Sequence, residues 1–397
     1  MRYSINSIEP LLPEPGDREL EDLGASVIGR SSALAGQLNP VVAESVGDLV
    51  RSMNCYYSNL IEGHDTSPRD IERAMASDYS ADPKRRDLQH EARAHIEVQR
   101  MIDLGESPKE PISSLQYVRW LHQEFCRRLP DDLLWVTNPD TGERLRVVPG
   151  ELRRVAVKVG QHVPPAPEHL EALMHRFNEA YSSSSLSKLT RIIATGAAHH
   201  RLLWVHPFLD GNGRVARLLS YAMLRDVGVG NSLWSVARGL ARRVDQYRMA
   251  LAAADAPRLG DFDGRGALSL RRLREFCVFF LETCLDQLEF MHSLLQPSEL
   301  LRRMKIYVDD EVEAGRLPRG SMGILREAVL TGEIERGRAA ELTGYQERRA
   351  RDILGALLDS GLLVTNSPKG PVRLGFPVHV LERWLPRLYP GDVTAPA

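Results

Sequence analysis

The most constraining feature of the chain is the segment VHPFLDGNGRVAR, residues 205–217, set between two apolar runs of helical period. The run 188–204 before it and "GRVARLLSYAMLRDVG" after it space apolar residues three and four apart, which predicts two helices. Gly211 and Gly213 interrupt the period between them, because glycine adopts backbone conformations that end a helix. The chain must therefore turn here, helix to loop to helix. The turn is crowded with His206, Asp210, Asn212, Arg214 and Arg217, which two packed helices alone do not need.

Those residue types have a chemistry in common. Gly211 and Gly213 let backbone N–H groups approach a ligand with no side chain in the way. The helix that starts at about residue 213 offers free N–H groups and the positive end of its dipole, a ready anion site. Arg214 and Arg217 are three apart and share one helical face. Two guanidiniums beside an anion site suit a di- or triphosphate. Asp210 is a hard oxygen ligand where Mg²⁺ would sit beside phosphates. His206 titrates near neutrality and is placed to take a proton from a hydroxyl. Phe208 reads as a core anchor. Base, metal ligand, anion nest and phosphate clamp together fit attack of a hydroxyl on a phosphate of a bound nucleotide. No GxxxxGK[ST] occurs, so this is not a P-loop.

The segment "HPFLDGNGRVAR" resembles the signature of the Fic (filamentation induced by cAMP) family, HxFx(D/E)GNGRxxR, at every specified position. "RVAVKVGQHVPPAPEHLEALM" is similar to the Fic flap and its Pro-rich link, and "AAHHRLLWVHPF" resembles the helix leading into the signature. The resemblance implies a mainly α fold, a helical core with a small β-hairpin flap. It also implies transfer of AMP from ATP, with Mg²⁺, to a Ser, Thr or Tyr hydroxyl of a target protein. On that reading His206 is the general base and Asp210 holds the metal. Gly211, Asn212 and Gly213 form the anion hole, Arg214 binds phosphate, and Arg217 grips the γ-phosphate. The flap, about 154–160 and centred on Val157, Lys158, Val159 and Gly160, would clamp the target by strand addition. His199 is expected to be packed. Tyr247 borders the adenine pocket in the resemblance, with core packing as its alternative. The GNGR form is that of AMP transfer; a kinase-like branch alters it.

"SNLIEG", residues 58–63, fits the family's inhibitory pattern [S/T]xxxE[G/N]. Ser58 and Glu62 are four apart, on one helical face. The resemblance implies that Glu62 pairs with Arg217 and takes the place of a phosphate. In some members the same Glu supports removal of AMP, so de-AMPylation is the alternative activity.

The rest of the chain is organised around this motif. Its 397 residues allow two or three domains, and we divide them as 1–105, 106–295 and 296–397. An extended arm over 1–20 precedes helices through 104. Ser67 is the expected cap of one helix. Short strands follow over 141–167, with a hairpin near 145–159. Helices return at 168–181, 188–204, 213–227, 239–253 and 268–295, where Pro297 punctuates, and "SSSSLS" at 182–187 is a loop. "ERGRAAELTGYQERRARDILGALLDSGLLV" and the two strands after it read as a C-terminal winged helix-turn-helix.

Net charge is -2, so no global field draws the chain to nucleic acid or membrane. Arg348, Arg349 and Arg351 would be the contacts if the C-terminal part met DNA, and a DNA-binding regulator with a nucleotide-sensing core is the rival from another class. No apolar run reaches the ~18–20 residues of a membrane span. Scattered Cys55, Cys126, Cys277 and Cys284 fit reduced thiols, and a cytoplasmic protein is expected. Self-modification and a homodimer stay open. "HEARAH", 90–95, has the letters of a zinc-protease helix but histidines five apart; a helix with solvated polar groups is expected, with no role for Glu91. "DFDGRGALSLRR" departs from a Ca²⁺ loop at Arg265 and Arg272 and reads as a helix-start loop near the nucleotide site.

Overall fold

Short polar side chains start half of the α-helices among the described residues. In the computed structural model, which describes residues 5–138, 141–182 and 186–390, Asp17 caps α1 (Arg18–Ala35) by accepting from the Leu20 amide. Asn39 caps α2 (Pro40–Ile61), with Pro40 in the first turn, where its missing N–H costs nothing. Ser67 caps α3 (Pro68–Met75) as expected, and Asp82 caps α4 (Pro83–Leu104), which ends on left-handed Gly105. Ser114 caps α5 (Leu115–Cys126). Then come β1 (Trp135–Thr137), β2 (Arg144–Arg146) and α6 (Leu170–Tyr181). Next are α7 (Lys188–Val205), capped by Ser187, and α8 (Asn212–Asp226). These are followed by α9 (Val236–Arg242), α10 (Val244–Ala254) and α11 (Leu270–Leu294).

The core forms where α11 packs on α1, α7, α9 and α10, and where α8 packs on α7, α5 and α4. Leu202, Phe208, Leu218, Phe276 and Phe280 are fully buried there. Helix α2 lies on α9, α4 and α3, so its C-terminal end reaches the start of α8.

The C-terminal part contains α12 (Pro297–Glu313), α13 (Ser321–Thr331), β3 (Glu333–Ile334), α14 (Ala339–Thr343) and α15 (Glu347–Asp359). It ends with β4 (Leu363–Val364), β5 (Val372–Leu374) and α16 (Val378–Trp384). The three strands form an antiparallel sheet in the order β3-β5-β4, with Ile334 opposite Val372 and Leu363 opposite Leu374. Left-handed Gly344 turns α14 into α15.

Four local expectations are corrected. The hairpin pairs 135–137 with 144–146, Val136 opposite Leu145, instead of lying at 145–159. In 147–163 only the Val159–His162 bridge remains. There Pro149 has no N–H, and the Arg153 side chain takes the carbonyls of Val155 and Pro165 that a ladder would use. The expected 239–253 helix is two, broken at Arg243. Pro297 opens a helix in its first turn instead of only ending one. The arm is not a free extension: a 3-10 turn, Ile5–Ile8, leads into buried Leu11. Arg201 Nε and Tyr181 Oη donate to the carbonyls of Pro10 and Leu11. The first four residues of that arm, and residues 183–185 of the serine tract, lie outside the described residues. All four cysteines are buried and free, and among the described residues no helix is long and apolar enough to cross a membrane.

Candidate active site

Helix α7 ends on His206, whose backbone is left-handed, φ 50°. This turn throws the chain into the loop 207–211. Two clasps fix the loop. Asn212 accepts from the Phe208 amide at 3.0 Å and donates to the Phe208 carbonyl at 2.8 Å. The Asn212 side chain therefore shapes the loop, and only its backbone is free to face an anion. Phe208 is the core anchor expected, stacked flat on His122 with ring centroids 3.9 Å apart. His122 in turn accepts from the Gly150 amide at 2.9 Å through Nδ1. The sequence had given no signal for His122.

Left-handed Gly211, φ 78°, is the N-cap of α8. The first turn of α8 presents its amides with no side chain of its own over them. A Cβ built on Gly213 would run into the Glu62 carboxylate and crowd Arg217. So the carboxylate of Glu62 sits where an anion at this helix end would sit.

Glu62 is the C-cap residue of α2, just past its last turn. Its Oε1 lies 2.5 Å from Arg217 Nη2. Ser58, one turn earlier, accepts from Arg217 Nε at 2.8 Å through its hydroxyl and from Nη2 at 3.2 Å through its carbonyl. The Arg217 side chain is 2% exposed and that of Glu62 34%. Burial opposes ionisation of Glu62, but Arg217, with Arg214 behind it, outweighs this and holds the carboxyl below its ordinary value. The structure thus brings Ser58, Glu62, Gly213 and Arg217 into one cluster.

Arg214 is taken by a residue that the sequence had set aside. Its Nη2 is 2.8 Å from Glu91 Oε2 on α4. The helix around "HEARAH" is therefore not a solvated polar face: Glu91 is 9% exposed and His95 fully buried. The contact of one acid on α4 with an arginine of α8 123 residues away leaves no local mark in the sequence. Among the described residues no group of three His, Cys, Asp or Glu is arranged to hold a metal. Asp210 stands exposed at the loop tip as a lone hard oxygen donor.

Burial, with Arg153 and His162 nearby, lowers the His206 pKa to about 4. The ring is thus neutral and proton-accepting at neutral pH. Arg153 fastens the flap base to this turn. It donates to the His206 carbonyl at 2.8 Å, and its own amide donates to the Pro207 carbonyl at 2.9 Å. His162 adds a 2.8 Å bond to the Trp204 carbonyl. Between these anchors, Val155 and Val159 are exposed, and Val157, Lys158 and Gly160 lie in the same unladdered stretch. Tyr247 is buried, with its hydroxyl 2.7 Å from His199 Nε2, and His199 Nδ1 is 2.8 Å from Ser220 Oγ. The loop "DFDGRGALSLRR" starts α11, where Asp263 accepts from the amides of Leu259 and Arg271, and it packs on residues 9–10 of the arm.

The chain is similar to known proteins. Residues 111–224 match the family model described as "Fic/DOC family". Over 174 residues the chain is 34% identical to "Protein adenylyltransferase Fic" of Nematostella vectensis, covering 44% of this chain and 37% of that protein. It is 46% identical over 79 residues to the protein of the same name from Drosophila willistoni, covering 20% of this chain and 16% of that one. The chain therefore spans well under half the length of the curated relatives it matches. A Fic family protein from Desulfovibrio desulfuricans G20 shares the fold over 92% of this chain and 98% of its own, with TM-score 0.54 and 18% identity. Residues 111–224, with the signature loop near their end, are a Fic domain.

Proposed function

We propose that the chain is a protein adenylyltransferase, moving AMP from ATP to a Ser, Thr or Tyr hydroxyl of a protein, and that Glu62 restrains it. The observation that carries this reading is the Glu62–Arg217 pair lying over Gly213 at the start of α8. A carboxylate held there occupies the place of a nucleotide phosphate, and Arg217 cannot serve both. Two relatives bear the name protein adenylyltransferase, which supports the reaction class.

In the forward reaction, the neutral His206 ring takes the proton of the target hydroxyl. The hydroxyl oxygen bonds to the α-phosphorus of ATP, the α–β bridging bond breaks, and pyrophosphate leaves. The amides of Gly211, Asn212 and Gly213 face the phosphate charge, and Arg214 and Arg217 hold the remaining phosphates. Asp210 is the residue that would hold Mg²⁺. One carboxylate suits an ion whose other ligands are phosphate oxygens and water, and the ion supplies charge neutralisation. The flap strip 154–160 would receive the target as an added strand, and Tyr247 remains a candidate neighbour of the base. We assign 106–295 to catalysis, 1–105 to the restraint and 296–397 to a winged helix-turn-helix part. Its exposed Arg348, Arg349 and Arg351 share α15 with Glu347, Asp352 and Asp359, which weakens the DNA reading.

The test uses ATP labelled at the α- or the γ-phosphate, with Mg²⁺, cell protein, and wild type, Glu62→Gly and His206→Ala. We expect α-label in protein, at least about tenfold more with Glu62→Gly, and none with His206→Ala. Entry of γ-label alone would make the enzyme a kinase. No label of either kind with Glu62→Gly would move AMP removal to the front, to be read as loss of AMP from a modified protein.

A further inference from the structure

Arg214 is oriented from outside the signature. Glu91 of α4 receives its Nη2 at 2.8 Å, and Phe125 of α5 lies beneath it, with the guanidinium carbon 5.2 Å from the ring centroid. The side chains are 6% and 12% exposed for Arg214 and Glu91. Arg214 Nε is buried and has no partner among the described residues. A guanidinium fixed by one carboxylate and one ring face has a fixed plane, and its remaining donors can point only one way. A lone, solvated arginine would spend rotamer entropy each time it met a phosphate.

The same Glu91 oxygen is 2.8 Å from His64 Nδ1, and His64 Nδ1 is also 3.0 Å from Arg214 Nη2. The arginine nitrogen only donates, so the satisfied arrangement has both His64 Nδ1–H and Arg214 donating to Glu91. His64 stands two residues after Glu62, in the turn that closes α2. The segment after α2 therefore meets both signature arginines. Glu62 takes Arg217, and His64 takes the carboxylate that orients Arg214.

We propose that Glu91 is the positioning residue that sets Arg214 for nucleotide phosphate, and that His64 gives the inhibitory segment a second hold on this pair beside Glu62. The proposal rests on the adenylyltransferase reading for its ligand, ATP. The groups facing His64 are Glu91 of α4, Arg214 of α8 and Glu62 of its own segment. The hydrogen bond to Glu91 raises its pKa, so the hold gains charge as pH falls.

The experiment measures the ATP Kd by calorimetry, and KM and kcat for α-label transfer, in the full chain. Against Glu62→Gly alone, Glu62→Gly with Glu91→Ala should weaken ATP binding about tenfold and raise KM by a like factor, with kcat within about threefold. Glu62→Gly with Glu91→Gln, which keeps an acceptor oxygen without the charge, should fall between. His64→Ala in otherwise wild-type protein should raise basal transfer severalfold, to a level below that of Glu62→Gly.

An unchanged Kd in folded Glu91→Gln and Glu91→Ala doubles overturns the positioning role, as does a loss in kcat alone. If the Ala double does not fold, the Gln double decides. His64→Ala no more active than wild type overturns the second hold. If Glu62→Gly binds ATP and transfers nothing, the adenylyltransferase reading fails while Glu91 is still judged by Kd. If Glu62→Gly binds no ATP, both fall.

Discussion

His206 holds φ 50°, in a region where a side chain crowds its own backbone. Arg153 is what keeps it there. One buried guanidinium serves the carbonyls of His206, Val155 and Pro165, at 2.8, 3.0 and 2.5 Å. Burial pushes its pKa down to about 10, so it stays charged at neutral pH. Lysine carries three donors at one point and cannot reach carbonyls spread around a planar fork. Arg153→Lys should lower the unfolding free energy by about 2–4 kcal/mol, through orphaned buried carbonyls. A denaturant titration reads this, and a shift under about 0.5 kcal/mol would show that the turn is held by other contacts. Ser58 makes a comparable argument on the other side of the site. Ser58→Ala leaves Arg217 Nε without its 2.8 Å acceptor. That loosens the cradle in which Glu62 pairs. Basal α-label transfer should then lie between wild type and Glu62→Gly, and transfer equal to wild type would mean that Glu62 alone sets the restraint.

Helix α2 works on opposite sides. One side carries Ser58 toward Arg217. The other carries Tyr56 and Tyr57, which pack against buried Tyr389, with Tyr57 Oη donating to the Leu388 carbonyl at 3.0 Å. Tyr389→Ala would empty that packing, at about 3–5 kcal/mol. We expect a lower Tm together with more basal transfer, because the helix bearing Ser58 and Glu62 loses its backing. A lower Tm with unchanged transfer would separate packing from restraint. Of these features, the sequence showed the Ser58/Glu62 face, since four-residue spacing is a local property of a helix. It showed the signature loop for the same reason, because caps, glycines and charges there all act within thirteen residues. It did not show Tyr389 behind α2 or Glu91 beneath Arg214, as those contacts join residues 332 and 123 apart in the chain. The hairpin slipped for a related reason. Alternating apolar residues run through 145–159, where the Arg153 side chain competes with a ladder for carbonyls, whereas the strands that do pair over 135–146 carry only Trp135, Val136 and Leu145 as apolar residues.

At the scale of the whole molecule, five histidines packed around the signature helices, His95, His122, His199, His200 and His206, have their pKa lowered by burial. Burial lowers the pKa of His95 and His199 to about 3, with Arg217 adding to it in both. Burial takes His122 and His206 to about 4, and His200 is lowered as well. In the unfolded chain each titrates near about 6.5. Between these values the unfolded chain binds more protons than the folded one, so stability rises with pH and is lost as pH falls through the window. His64 runs the other way: its pKa is raised, so its contribution is full in acid and fades as pH rises. It is one group against six, since burial lowers the pKa of His90 as well. The paired carboxylates, such as Asp17 and Glu97, are lowered and lose their contribution only below their ordinary range. The slope above that range therefore belongs to the histidines. One buried histidine that stays neutral is worth about 2 kcal/mol at about pH 5. Urea titrations from neutral pH to about pH 5 should show the unfolding free energy falling by at least that amount. His95 makes the sharper test, since both its ring nitrogens are buried without partners among the described residues. His95→Gln should flatten the slope by the share of one group. Equal stability at both ends of the range would mean that protons reach these rings in the folded state, and that His206 is not held as a neutral base.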